Sequence, residues 1–251
     1  MSNGSLYTSI NNHIATVEFG HPASNSFPSE LLDRLTKALN ELSENDDVHL
    51  IVLKSEGERA FCAGASFDEL MTISTLSEGK EFFSGFANVI NAMRTCSKLI
   101  VGRVQGKAVG GGVGLISACD YALATEAAAI KLSELSIGIG PFVIAPAVER
   151  KMGKAALTEL TLAATEWKNA YWAKEKGLYA KVFETIDELD KELDIFTHHL
   201  ASYNPDALNK MKQTLWNGTD HWNNLLMERA EISGQLVLSN FTKNALKKFK
   251  K

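Results

Sequence analysis

The sequence predicts an α/β fold, a sheet with crossover helices followed by a region that is almost entirely helical. Three observations carry this. Through the first 135 residues, apolar runs of strand length alternate with segments whose apolar residues recur at helical spacing, the pattern of a sheet with crossover helices. After residue 141 the strand signal nearly stops, and only LYAKVFE interrupts a series of helix-like segments. The 251 residues are 45% apolar and 22% charged, an ordinary globular composition with enough chain for one large core.

The elements follow in order. LYTSINNHIATVEFG alternates about the turn signal Asn11-Asn12 and reads as a hairpin. HPASNSFPSE is a loop, and Pro28-Ser29-Glu30 opens a helix whose apolar stripe is Leu31, Leu32, Leu35, Ala38, Leu39 and Leu42. HLIVLKSEG is a buried strand, and FCAGASFDEL is a small-residue loop running into a helix near Phe67. A second amphipathic helix spans roughly 77–96. KLIVGRVQG is the next strand, AVGGGVGLISA opens a helix near Gly111, and DYALATEAAAIKL gives two short strands about a turn. The helical remainder is PFVIAPAVERKMG, KAALTELTLAA, NAYWAKEKG, DELDKELDIFTHHLAS, DALNKMKQTLWNG and HWNNLLMERAEISGQLVLSN. Trp167, Trp172, Trp216 and Trp222 give this part an apolar cluster to pack on its own sheet or on a partner chain.

Composition excludes several function classes. A net charge of −4 does not suit a protein whose main task is binding nucleic acid. Lys247, Lys248, Lys250 and Lys251 read as a solvated helix end, with attraction of an anionic ligand as the sharper alternative. Cys62, Cys96 and Cys119 form no C-x-x-C pair and are odd in number, which fits a reducing compartment. MSNGSLYTSI lacks the basic-then-apolar layout of a secretion signal, and no apolar run reaches the length of a membrane span. The expected location is the cytoplasm, with no membrane partner.

The chemistry centres on AVGGGVGLISACD, residues 108–120, where Gly110, Gly111 and Gly112 are followed by Gly114. A dinucleotide fingerprint would need glycine at Leu115, and no Gly-Lys-Ser/Thr exists for a nucleotide phosphate loop. Two readings remain, a tight packing corner or a bare helix start that offers N–H groups to a ligand carbonyl. An oxyanion hole needs a second donor. The turn Cys62-Ala63-Gly64-Ala65-Ser66, after a buried strand, offers the Ala65 amide. Both turns are expected at the carboxyl edge of neighbouring strands, where ligands bind in such sheets. No His or Cys spacing suits a metal, and no G-x-S-x-G elbow supports a hydrolase. Cys62, beside the proposed hole, reads as a core filler rather than a nucleophile. Asp68 and Glu69 read as charges stabilising a helix start.

Four segments together resemble the crotonase (enoyl-CoA hydratase/isomerase) superfamily: ATVEFGHPASNSF, FCAGASFDEL, the stretch QGKAVGGGVGLISACDYALATEAAAIKLSELSIGIGP, and NAYWAKEKGLYAKVFE. They occur in the family's order and cover nearly the whole chain. The resemblance implies a crotonase fold, with a core of repeated ββα units over residues 1–190 that carries an acyl-CoA site. It also implies a helical C-terminal region over 191–251 that makes homotrimers, often paired into hexamers. Coenzyme A would enter as part of the substrate and no separate cofactor is implied.

By the same resemblance, the amides of Ala65 and Gly111 match the oxyanion hole. Asn25, Ser26, Phe27, Ala63 and Ser66 match segments lining the CoA site, Ser66 replacing the usual Asp. Phe241 and Lys248 fall near where a neighbouring subunit meets the nucleotide. Of the two acids used by the family's two-carboxylate hydratases, the later matches Glu134; the earlier is absent, and Gly114 stands there. GIGPFVIAPAVERKMG, with Phe142 in place of the family's small Gly, is similar to the bacterial methylglutaconyl-CoA hydratase-like branch. The expected activity is hydration of a 2-enoyl-CoA by Glu134. The alternatives are Δ3,Δ2-enoyl-CoA isomerisation by the same Glu and a catalytically silent acyl-CoA-binding subunit.

Overall fold

The computed structural model describes residues 3–248; Lys250 and Lys251 lie outside the described residues. β1 (Ser5–Asn11) and β2 (Ile14–Gly20) form the hairpin. Its turn falls at Asn12-His13, one residue later than the sequence suggests. Both residues have positive φ (48° and 64°), the conformation whose twist matches a two-residue hairpin loop. α1 (Ser29–Glu44) follows, and Leu31, Leu32, Leu35, Leu39 and Leu42 are all buried. Burying each such side chain is worth about 1.5–3 kcal/mol.

The chain then repeats one unit. A strand joins the main sheet, a short strand joins a second sheet, and one or more helices lead on. The first pass is β3 (Leu50–Ser55), β4 (Ala60–Cys62), α2 (Phe67–Thr72) and α3 (Leu76–Thr95). The second is β5 (Leu99–Val104), β6 (Lys107–Val109) and α4 (Gly111–Ala118). The third is β7 (Tyr121–Thr125), β8 (Ile130–Lys131), a 3-10 turn at Glu134–Ile137, α5 (Ala145–Leu162) and α6 (Ala170–Glu175). β9 (Lys181–Phe183) closes the main sheet. The main sheet runs β1-β2-β3-β5-β7-β9 and the small one β4-β6-β8, parallel except for the β1–β2 hairpin. Each sheet therefore follows sequence order, the arrangement that repeated ββα units produce. The three short strands β4, β6 and β8 were partly hidden in the sequence, because two or three residues carry too little alternation to register.

The tail comprises α7 (Ile186–Ala201), α8 (Pro205–Leu215), α9 (Trp222–Val237) and α10 (Asn240–Lys248). α9 packs on α3 of its own chain. A methyl placed on Gly79 would lie 2.8 Å from the Gly234 Cα, so the two helices meet nearly backbone to backbone. The tryptophans do not form one cluster. Trp216 and Trp222 are buried edge to face at 5.8 Å. Trp167 is 42% exposed, with Lys107 and Lys131 over its ring.

The tail is pinned through Asp120. Its buried carboxylate accepts hydrogen bonds from Lys212 Nζ, Trp216 Nε1 and the Ile100 N–H, each at 2.7 Å. Removing one partner of such a buried pair strands the other, at a cost of about 3–5 kcal/mol. Among the described residues no helix is long and apolar enough to cross a membrane.

Candidate active site

β4, β6 and β8 are neighbours in the small sheet, so the segments following them emerge side by side at one edge. The first is the Ala63–Ser66 turn. Gly64 sits at φ +92°, a region L side chains rarely adopt. Phe27 forms a parallel bridge with Ala65, donating its N–H to the Gly64 carbonyl and accepting from the Ser66 N–H, both at 2.8 Å. In that pattern the residue between the two bonds turns its own N–H the other way. The Ala65 N–H has no acceptor among the described residues.

The second segment is the glycine triplet, and each member answers to a different neighbour. Gly110 has φ +53°, and a methyl on it would lie 2.7 Å from Glu134 Oε1. A methyl on Gly111 would lie 2.9 Å from Phe86 Cε2, and one on Gly112 would lie 2.7 Å from the Cys62 carbonyl. The packing corner and the bare helix start are therefore both present. Val113 and Gly114 donate to the Gly110 carbonyl, while the Gly111 N–H, first in α4, has no acceptor among the described residues. Helix starts leave such donors free and carry a partial positive charge. A methyl on Gly64 would lie 3.6 Å from the Gly111 nitrogen, so the two turns lie against each other.

The third segment carries Glu134 at the start of the 3-10 turn that follows β8. Its carboxyl sits against Gly110, and its Oε2 is buried with no hydrogen-bond partner. Burial pushes the carboxyl up from 4.5 to about 7, opposed only by its own backbone N–H. Near neutral pH both of its protonation states are populated, as a proton-transfer group requires.

Ala63, Ala65, Gly111 and Glu134 all line one cavity of about 150 Å³. Most of its walls were not identified from the sequence: Phe82, Phe83 and Phe86 from α3, Leu70 from α2, the 139–144 stretch apart from Phe142, and Ser233 from α9. The only available signal was the aromatic triple at i, i+1 and i+4 in FFSGF, which marks one face of a helix. Phe142, the departure noted in the sequence, is part of this wall.

Gly114 lies behind the wall at Ile144. A side chain there would place its Cβ 2.8 Å from the Ile144 Cβ. The place of the absent acid is thus occupied by an aliphatic side chain.

The side chains of Asn25, Ser26, Phe27 and Ser66 do not line the cavity; they shape the turn behind it. Asn25, at φ +56°, donates to the Glu56 and Ala60 carbonyls and accepts from the His21 N–H. Ser26 Oγ contacts His21 Nδ1 at 3.2 Å. Phe27 is fully buried among Phe19 and Phe86. Ser66 caps α2 by accepting the Glu69 N–H. Glu69 does more than charge its own helix, because its carboxylate accepts from the N–H and Oγ of Ser29 at the start of α1.

Cys62 is fully buried, and burial pushes its thiol up to about 12. It is protonated at neutral pH and unsuited to nucleophilic attack. No group of three or more His, Cys, Asp and Glu side chains is placed to hold a metal among the described residues.

Residues 9–249 match the family model described as enoyl-CoA hydratase/isomerase. The chain is 31% identical over 201 residues to the mitochondrial methylglutaconyl-CoA hydratase of Rattus norvegicus, covering 78% of this chain and 63% of that protein. It is 29% identical over 206 residues to the peroxisomal Delta(3,5)-Delta(2,4)-dienoyl-CoA isomerase of Arabidopsis thaliana, covering 76% and 72%. The crystal structure of enoyl-CoA hydratase from Bacillus halodurans superposes with a TM-score of 0.89 at 20% identity, over 97% of this chain and 99% of that one. At that identity the superposition speaks for the crotonase fold alone.

Proposed function

The chain belongs to the enoyl-CoA hydratase/isomerase family, and we propose that it hydrates a 2-enoyl-CoA thioester with Glu134 as its single acid–base group. The observation that carries this reading is the convergence on one cavity of two acceptor-free N–H groups, of Ala65 and Gly111, and one buried, unpartnered carboxyl oxygen. The thioester oxygen accepts from both amides. The Glu134 carboxylate takes a proton from water as the hydroxide oxygen bonds to C3. The C2=C3 electron pair moves toward the carbonyl, whose oxygen becomes the enolate oxygen held by the amides. Glu134 then returns the proton to C2, and the carbonyl re-forms. Each donor that binds charge developed only in the transition state is worth about 3–4 kcal/mol.

The turn built by Asn25, Ser26 and Phe27, with Ala63 and Ser66, is assigned to the CoA side of the site. Homotrimers or hexamers in the cytoplasm complete the proposal.

A second reading is favoured by one observation. Because Ile144 fills the place of a second acid, no carboxylate there holds the attacking water. Glu134 alone suffices to carry a proton between C4 and C2 of a 3-enoyl-CoA, which is isomerisation.

Incubation in ¹⁸O-water separates the readings. Crotonyl-CoA is expected to give a 3-hydroxyacyl-CoA carrying one heavy oxygen. Conversion of a 3-enoyl-CoA to its 2-enoyl isomer, with no hydration, would transfer the assignment to the isomerase. Tight acyl-CoA binding with no conversion of any thioester would reduce the protein to a binding subunit.

A further inference from the structure

We propose that the cavity accepts a short, uncharged acyl chain and rejects acyl groups that carry a free carboxylate. This rests on reading the cavity as the acyl site. Its volume of about 150 Å³ matches that of a cavity in another protein that holds one benzene ring, so it suits a chain of about four to six carbons. The side-chain wall facing such a chain is apolar, with Leu70, Phe82, Phe86, Ile139, Val143 and Ile144 among its members. Among the described residues, its polar side chains are the hydroxyls of Ser133 and Ser233 and the carboxyl of Glu134.

Among the described residues, no Lys, Arg or His lines the cavity. Three of the cations on flanking elements are engaged elsewhere. Lys80 is paired with Glu231 at 2.8 Å, and Lys107 and Lys131 lie over the Trp167 ring. A carboxylate at the end of the acyl chain would find no countercharge and would share a small cavity with ionised Glu134. Two like charges ~6 Å apart at an effective dielectric of ~20 repel strongly enough to force a proton onto Glu134, which from a value of about 7 weakens binding about tenfold at pH 8. A methylglutaconyl group, which carries such a carboxylate, falls in the rejected class.

Two measurements on the full-length protein test this. One is calorimetric binding at pH 8 of the unreactive thioesters butanoyl-, decanoyl- and glutaryl-CoA. The other is kcat/KM for crotonyl-, 2-decenoyl- and 3-methylglutaconyl-CoA. Butanoyl-CoA is expected to bind at least tenfold tighter than either decanoyl-CoA or glutaryl-CoA. Glutaryl- or decanoyl-CoA binding as tightly as butanoyl-CoA would overturn the proposal. The expected binding order with no turnover would instead remove the hydratase reading and leave this inference standing. Turnover that favours 3-methylglutaconyl-CoA would remove this inference and keep the hydratase.

Discussion

Replacing Glu134 by Gln is expected to remove activity and, above neutral pH, to stabilise the protein. Moving a carboxyl from 4.5 to about 7 on folding corresponds to about 3 kcal/mol of linkage. Because the folded-state value is the higher one, this stability is present in full below about pH 4.5. It is lost as the pH rises through 7, when the buried group ionises without a partner. The amide of Gln has no such equilibrium. Urea denaturation at pH 5 and pH 8 should therefore show wild-type protein losing about 2–3 kcal/mol relative to Glu134→Gln across that interval. Turnover of crotonyl-CoA by the variant should fall by at least a hundredfold. If the two proteins show the same pH dependence of stability, the carboxyl is not buried as described. Retained turnover would remove Glu134 from the chemistry.

Further consequences can be checked separately. In the wild type, kcat/KM should fall tenfold per pH unit below about 7 as the working carboxylate is protonated; a profile flat down to pH 5 would contradict this. Gly110→Ala adds a methyl at a left-handed position, 2.7 Å from Glu134 Oε1. Thermal melting should register a cost of about 1–2 kcal/mol, and steady-state assay at least a tenfold loss of kcat. Gly114→Leu forces its side chain into Ile144 and should cost about 1–3 kcal/mol by overpacking; adding Ile144→Ala should recover part of the melting temperature. Asp120→Ala strands the buried Lys212 ammonium and should cost about 3–5 kcal/mol in denaturant titration, with KM unchanged where the protein remains folded.

The order of strands and helices was legible because long segments such as 29–44 and 76–95 bury one periodic face. Gly64, Gly110 and the bare start of α4 were legible for the same kind of reason, since local backbone demands leave a local residue signature. The aromatic wall was not. Phe82, Phe83 and Phe86 meet Ser233 only through the packing of α3 on α9, a contact across some 150 positions that no local pattern encodes. Asp120 gave no hint that it would anchor Lys212 and Trp216 from α8 and its end. Asn25, Ser26 and Phe27 were named by likeness as lining a CoA site, while the coordinates show their bonds shaping the Ala65 turn, a role with no local signature.

The central claim is that the Ala65 and Gly111 amides bind one thioester oxygen beside Glu134. Isotope-edited infrared spectroscopy of carbonyl-¹³C crotonyl-CoA bound to Glu134→Gln protein tests it most directly. The account predicts a carbonyl stretch shifted well below that of the free thioester, as two donors polarise the bond. A stretch at the free-thioester frequency in the saturated complex would contradict it.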